Sequence, residues 1–93
     1  MAGIEITDES RPQPAPGVRL HFDDTRKTWV LMAPERVFML DDVAAEVLKR
    51  CDGRSFAELL ADLGEAFSAT RADIEDDVRD MLTGMIEKGA MDP

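Results

Sequence analysis

Hydrophobic and polar positions follow two different periods along this chain, and the change falls near residue 40. From residue 18 to 22, apolar and polar side chains alternate, which is the two-residue period of a half-buried strand. Two more apolar runs follow, Thr28–Met32 and Arg36–Leu40, with Pro34 in the tight connection between them. The pattern predicts three short strands, and an antiparallel meander is the most economical arrangement.

From about residue 41 the apolar residues recur at helical spacing. The three predicted helices begin at the capping residues Asp41 or Asp42, Ser55 and Thr70. The first ends at Gly53 and the third runs to about Lys88. Three strands followed by three helices predict an α+β fold in which the helices pack on one face of a small antiparallel sheet.

The first residues of the chain have a different composition. Three of the five prolines lie close together at positions 12, 14 and 16. Because proline removes a backbone donor and fixes φ, this stretch should be extended. We therefore expect residues 1–15 to be a disordered tail or a linker from a neighbouring domain, and residues 16–93 to form the folded domain.

The charge balance narrows the function. Twenty Asp and Glu against 11 Lys and Arg give a net charge of −9, which disfavours binding to nucleic acid or to an anionic membrane. No apolar run approaches the roughly 20 residues that span a bilayer, and no signal peptide is recognisable. The single cysteine cannot form an internal disulfide, as is common in a reducing compartment. We expect a soluble cytoplasmic protein.

Candidate catalytic and metal-binding residues are few. His21 has no second His or Cys near it in the sequence with which it could bind a metal. Cys51 is predicted to be a small buried hydrophobic residue at a helix end. The acidic run over residues 73–80 lacks the glycine-centred spacing of calcium loops. No glycine-rich phosphate loop is present. The sequence predicts neither a catalytic residue, nor a metal site, nor a cofactor.

The third predicted helix has an unusually wide apolar stripe. At 100° per residue the stripe spans about 140°, against roughly 100° for an ordinary surface helix. Its members are Ile74, Val78, Met81, Leu82, Met85 and Ile86. One edge of the stripe can face the core while the other lines a groove, and flexible Met side chains suit either position.

The second and third predicted strands are apolar on both faces, so both faces should be covered. A three-stranded meander also leaves two edges with unpaired backbone groups. An extended peptide or a second copy of the chain could pair with such an edge. Residues 18–36 are the only segment in which Lys and Arg outnumber Asp and Glu.

Four segments of the chain together resemble the PqqD family. They are Pro16-Gly17-Val18-Arg19-Leu20, Trp29-Val30-Leu31-Met32-Ala33-Pro34-Glu35-Arg36, Leu40-Asp41, and Val47-Leu48-Lys49-Arg50-Cys51-Asp52-Gly53. The match covers about residues 16–91, and Asp41 stands where many members have Asn, with capping ability retained. No single segment is diagnostic, but their order and spacing are specific.

The resemblance implies a non-enzymatic peptide chaperone of winged-helix-like fold in the biosynthesis of pyrroloquinoline quinone (PQQ). Such proteins bind the precursor peptide PqqA and present it to the radical S-adenosylmethionine enzyme PqqE. Related recognition domains capture a leader peptide as a strand added beside the third strand, against the third helix. Carried over to this sequence, the peptide-binding residues are Arg36, Val37, Phe38, Met39, Leu40, Val78, Met81, Leu82 and Met85.

Two other functions share this pattern of elements. A winged-helix DNA-binding protein should have a basic recognition helix, but residues 71–93 hold seven acidic against three basic residues. A dimerisation module would use the same free strand edge without any peptide partner. The sequence leaves open whether the protein is a monomer or a homodimer.

Overall fold

The sheet and the three helices predicted from the sequence are present in the structure. The structure is a computed structural model, and it describes residues 5–93. The strands are β1 (Gln13–Pro14), β2 (Arg19–Asp23), β3 (Thr28–Met32), β4 (Val37–Met39) and β5 (Met91–Asp92). The helices are α1 (Asp42–Lys49), α2 (Phe56–Phe67) and α3 (Arg71–Glu87). The antiparallel order β2-β3-β4 confirms the meander and the α+β class.

Each helix begins at a residue that the sequence predicts as its cap. The Asp41 carboxylate accepts a hydrogen bond from the Ala44 amide at 2.7 Å at the start of α1. Reciprocal capping boxes begin α2 at Ser55 and α3 at Thr70. Each cap satisfies backbone donors that have no partner within the helix and stabilises it by about 1 kcal/mol.

The register of the strands divides their side chains between two faces. Fully buried Leu31 lies opposite Leu20 and Phe38, so these side chains point to the same side. This side, which we call the inner face, packs against the hydrophobic core. Val30 lies opposite His21 and Met39 on the other side, which we call the outer face.

The core lies between the inner face and the three helices. Its most buried large side chains are Leu31, Val47, Phe56, Leu59, Leu60, Leu63, Leu82 and Met91. Val30 is only 3 % exposed but does not belong to this cluster. The helices therefore pack on one face of the sheet, as predicted. No helix between residues 5 and 93 is long and apolar enough to cross a membrane.

The structure differs from the prediction of a disordered tail or linker over residues 1–15. Residues 1–4 lie outside the described part of the chain, but residues 5–15 pack against the domain. Ile6 is 4 % exposed within the core cluster, and Pro12 is fully buried. Strand β1 pairs with β5 at the other end of the chain. The prolines thus hold an extended segment that is part of the fold.

Hydrogen bonds give the physical reason for this correction. The carbonyls of Asp8 and Ser10 accept from the amides of Ala57 and Phe56, which are the first amides of α2 and have no partner inside the helix. The segment therefore completes the N-terminus of α2.

Two arginines of α3 also hold this segment. Arg71 donates to the carboxylates of Asp8 and Glu75, and Arg79 donates to the Ile6 carbonyl and to Glu75. The hydrogen bonds from Arg71 and Arg79 lower the pKa of Glu75 to about 2, so this carboxylate stays ionised near neutral pH. Exposed ion pairs of this kind stabilise a fold only slightly. Burial of Ile6 therefore contributes more to the packing of residues 5–15 on the domain than these ion pairs do.

Candidate functional site

Strand β4 forms an edge of the sheet that is unpaired within residues 5–93. The Leu40 amide donates to the Trp29 carbonyl at 3.2 Å, and the Ala33 amide donates to the Arg36 carbonyl at 2.9 Å. Backbone groups of an antiparallel strand alternate in direction, so those of Val37 and Met39 point to the free edge. Two amides and two carbonyls are thus available to another extended chain.

The side chains of β4 alternate between the two faces of the sheet. Phe38 is half-buried on the inner face and packs against the core cluster. The Arg36 guanidinium lies 5.0 Å from the centre of the Phe38 ring and donates to the Lys88 carbonyl at 2.8 Å. Arg36 therefore connects β4 to the C-terminal end of α3. Val37 and Met39 point to the outer face and are about half exposed.

A cavity of about 210 Å³ opens between α1 and α3, directly after the end of β4. Its walls are mostly apolar, with two carboxylates among the lining residues. The lining consists of Asp41, Val43, Ala44, Val47, Asp77, Val78 and Met81. The volume is below the roughly 300 Å³ of the smallest ordinary small-molecule sites. The cavity suits one apolar side chain of a larger ligand better than a complete small molecule.

The structure brings part of the predicted peptide-binding set together. Val78 and Met81 line the cavity, and Met85 is half-buried further along α3. Leu40 and Leu82 are 6 % and 0 % exposed, so they form the support beneath the site instead of its surface. The nine predicted residues therefore do not form one surface: some lie at the cavity or along α3, some lie on the outer face of the sheet, and some are buried in the core.

Helix α1 contributes residues that the sequence analysis did not include in the site. Val43, Ala44 and Val47 line the cavity. Val43 is 60 % exposed in the first turn of α1. In the sequence, Val43 and Val47 are spaced i and i+4, and this spacing is the pattern that could have indicated an apolar surface on α1. Asp77 on α3 also faces the cavity.

The two residues considered for catalysis lie on different sides of the sheet. Cys51 is buried in the core, and burial raises the pKa of its thiol to about 12, so it is not a thiolate at neutral pH. His21 is exposed on the outer face. In the described part of the chain, no three His, Cys, Asp or Glu side chains are grouped so that they could hold a metal ion.

Comparison with known proteins places this geometry in a family. The family model described as "Coenzyme PQQ synthesis protein D (PqqD)" matches residues 28–90. A protein of Rhodopseudomonas palustris named "PqqA binding protein" is 44% identical over 87 residues, which are 92% of this chain and 85% of the relative. A protein of the same name from Xanthomonas oryzae pv. oryzae is 46% identical over 84 residues, 89% of this chain and 91% of the relative.

A solved structure is similar in fold as well as in sequence. It is the solution NMR structure of the PqqD truncation of Methylobacterium extorquens PqqCD, described as a functional, stand-alone recognition element for ribosomally synthesised and post-translationally modified peptides. The TM-score is 0.81 at 40% sequence identity, and the alignment covers 96% of each chain. The sequence segments, the fold and the strand edge beside α3 lead to one conclusion: the chain belongs to the PqqD family of coenzyme PQQ synthesis proteins.

Proposed function

We propose that this protein binds the precursor peptide PqqA as a strand added to β4 and presents it, in the cytoplasm, to the radical S-adenosylmethionine enzyme PqqE. In this proposal the protein has no catalytic step of its own. The observation that carries the proposal is the free edge of β4, with the backbone groups of Val37 and Met39 unpaired, next to the cavity between α1 and α3. The names of the relatives in two genera support PqqA as the peptide.

The backbone of the site would hold the peptide in an extended form. The amides and carbonyls of Val37 and Met39 offer four hydrogen bonds to the added strand, each contributing about 0.5–1.5 kcal/mol net. These bonds do not depend on the peptide's side chains, so they supply affinity but little selectivity. Ordering a flexible peptide costs several kcal/mol, so we expect moderate overall affinity.

The side chains of the site would supply the selectivity. Residues of the added strand alternate between the two faces of the sheet. Those on the inner face meet Phe38 and the apolar side of α3, and the cavity beyond β4 accepts one of them. Burying one apolar side chain contributes about 1.5–3 kcal/mol, enough to choose between peptide sequences.

Val43→Asp tests the cavity with little effect on folding. Val43 is 60 % exposed, and an acidic residue is favourable in the first turn of a helix. The new carboxylate would meet an apolar peptide side chain, and we expect PqqA affinity to fall at least tenfold by titration calorimetry. Phe67→Asp is the control, since Phe67 is 47 % exposed at the end of α2 and does not line the cavity. Equal affinities for both variants would show that the cavity is not used.

Two alternative functions are weaker on these observations. The exposed acidic residues of α3, Asp73, Asp76, Asp77 and Asp80, would repel the phosphates of duplex DNA. Self-association would use the same edge of β4 as the peptide. Sedimentation at several concentrations, with and without PqqA, separates a dimer that competes with the peptide from a monomer that binds it.

A further inference from the structure

An apolar surface remains on the outer face of the sheet, away from the helices. Val37 and Met39 are 49% and 56% exposed, and their cross-strand partners are Met32 and Val30. Val37, Met39 and half-buried Met32 form an apolar surface across β3 and β4, and buried Val30 lies between them. None of them belongs to the core cluster. Large exposed apolar side chains in adjacent positions indicate an interaction surface more often than isolated ones do.

The charges around this surface differ from those of the rest of the protein. Arg19 lies opposite Met32 on the outer face, and the Arg26 guanidinium reaches within 3.9 Å of the Met39 sulfur. His21 is the cross-strand neighbour of Val30, and Asp23, the one carboxylate among the residues of β2, β3 and β4 on this face, lies 3.6 Å from Arg26. In a chain of net charge −9, this face has a slight excess of cations. Its charge complements an acidic surface with an apolar centre.

Strand addition would enlarge the same surface. A peptide paired with β4 places every second side chain on the outer face, beside Val37 and Met39. The surface would then consist of protein and peptide side chains together, and it would be complete only in the loaded protein. A partner that binds it can therefore distinguish a chaperone that carries a peptide from an empty one.

We propose that the outer face, completed by the bound peptide, docks an acidic surface of the protein that receives the peptide. The inference rests on the proposed function, because it needs peptide addition at β4. The outer face of β2, β3 and β4, which have five, five and three residues, measures roughly 210 Å², from spacings of about 4.8 Å between strands and about 3.4 Å per residue. This is well below the roughly 800 Å² that each partner contributes to a standard stable interface. The docking is accordingly weak and transient, as transfer of a peptide requires.

Charge reversal on the strand farthest from the peptide tests the proposal. Arg19→Glu changes the outer face at β2, away from the edge of β4, so PqqA affinity should stay within about twofold. Binding of the PqqA-loaded protein to purified PqqE should weaken at least tenfold, and in the unchanged protein it should weaken as salt increases. Arg54→Glu, in the α1–α2 connection, makes the same charge change elsewhere and should leave both affinities as they are.

The outcomes separate this proposal from the proposed function. The docking surface would be wrong if Arg19→Glu changed neither the affinity for PqqA nor the affinity for PqqE. It would also be wrong if PqqE bound the loaded and the empty protein equally well. Neither result would contradict peptide binding at β4. Failure of the unchanged protein to bind PqqA would instead contradict the proposed function. Self-association that Arg19→Glu abolishes would assign the face to a second copy of the chain and overturn the proposal.

Discussion

Phe38→Asp is expected to weaken PqqA binding at least 100-fold while the domain remains folded. The new carboxylate would lie on the inner face, between the added strand and the apolar side of α3, where a bound peptide would exclude water. Loss of the apolar ring contact and burial of a charge beside the Arg36 guanidinium together cost at least the 2.7 kcal/mol or so that a 100-fold loss represents. Phe38 is only half-buried in the free protein, so the cost to folding is smaller than the cost to binding. Calorimetry with circular dichroism on the same samples measures both.

Met85→Asp tests the α3 side of the proposed peptide-binding groove, which is the space between β4 and α3. Met85 is half-buried and packs against the core cluster, so we expect the same direction of change in PqqA affinity. Phe67→Asp, at an exposed position outside the groove, should bind as the unchanged protein does. Unaltered affinity in folded Phe38→Asp and Met85→Asp variants would show that the groove between β4 and α3 is not the binding site.

Ile6→Ala is expected to lower the free energy of unfolding by about 2–4 kcal/mol. Ile6 is 4% exposed within the core cluster, and removal of its side chain leaves a cavity against the domain. For a domain of this size, each kcal/mol lowers Tm by about 4–8 °C. Urea denaturation followed by circular dichroism measures the change. Glu9→Ala, at an exposed position of the same segment, is the control. Equal urea midpoints for Ile6→Ala and the unchanged protein would restore the interpretation of this segment as a linker.

The elements of the domain were predictable from the sequence because their signals are local. The caps at Asp41, Ser55 and Thr70 act within three residues of each helix start. The packing of residues 5–15 was not predictable in the same way. The Ala15 amide donates to the Ala90 carbonyl, and β1 pairs with β5, across most of the length of the chain. A proline-rich composition is shared by linkers and by extended segments that pack on a domain.

The candidate site was predictable only at the level of its elements. Strand β4 is apolar at successive positions, so sequence periodicity could not decide whether Phe38 or its neighbours face α3. The pairing of Phe38 with Leu31 decides it, and that register is a long-range property of the sheet. In the same way, the α3 stripe does not distinguish fully buried Leu82 from half-buried Met85. The cavity between α1 and α3 depends on how two helices pack, which no local pattern specifies.

An NMR titration of isotope-labelled protein with PqqA tests the central claim most directly. Intermolecular nuclear Overhauser effects should connect the backbone amides of Val37 and Met39 to the peptide backbone, with shift changes at the Met81 methyl group in the cavity. Effects confined to β2, which is the other edge of the sheet, or to surfaces away from β4 and α3, would contradict strand addition at β4.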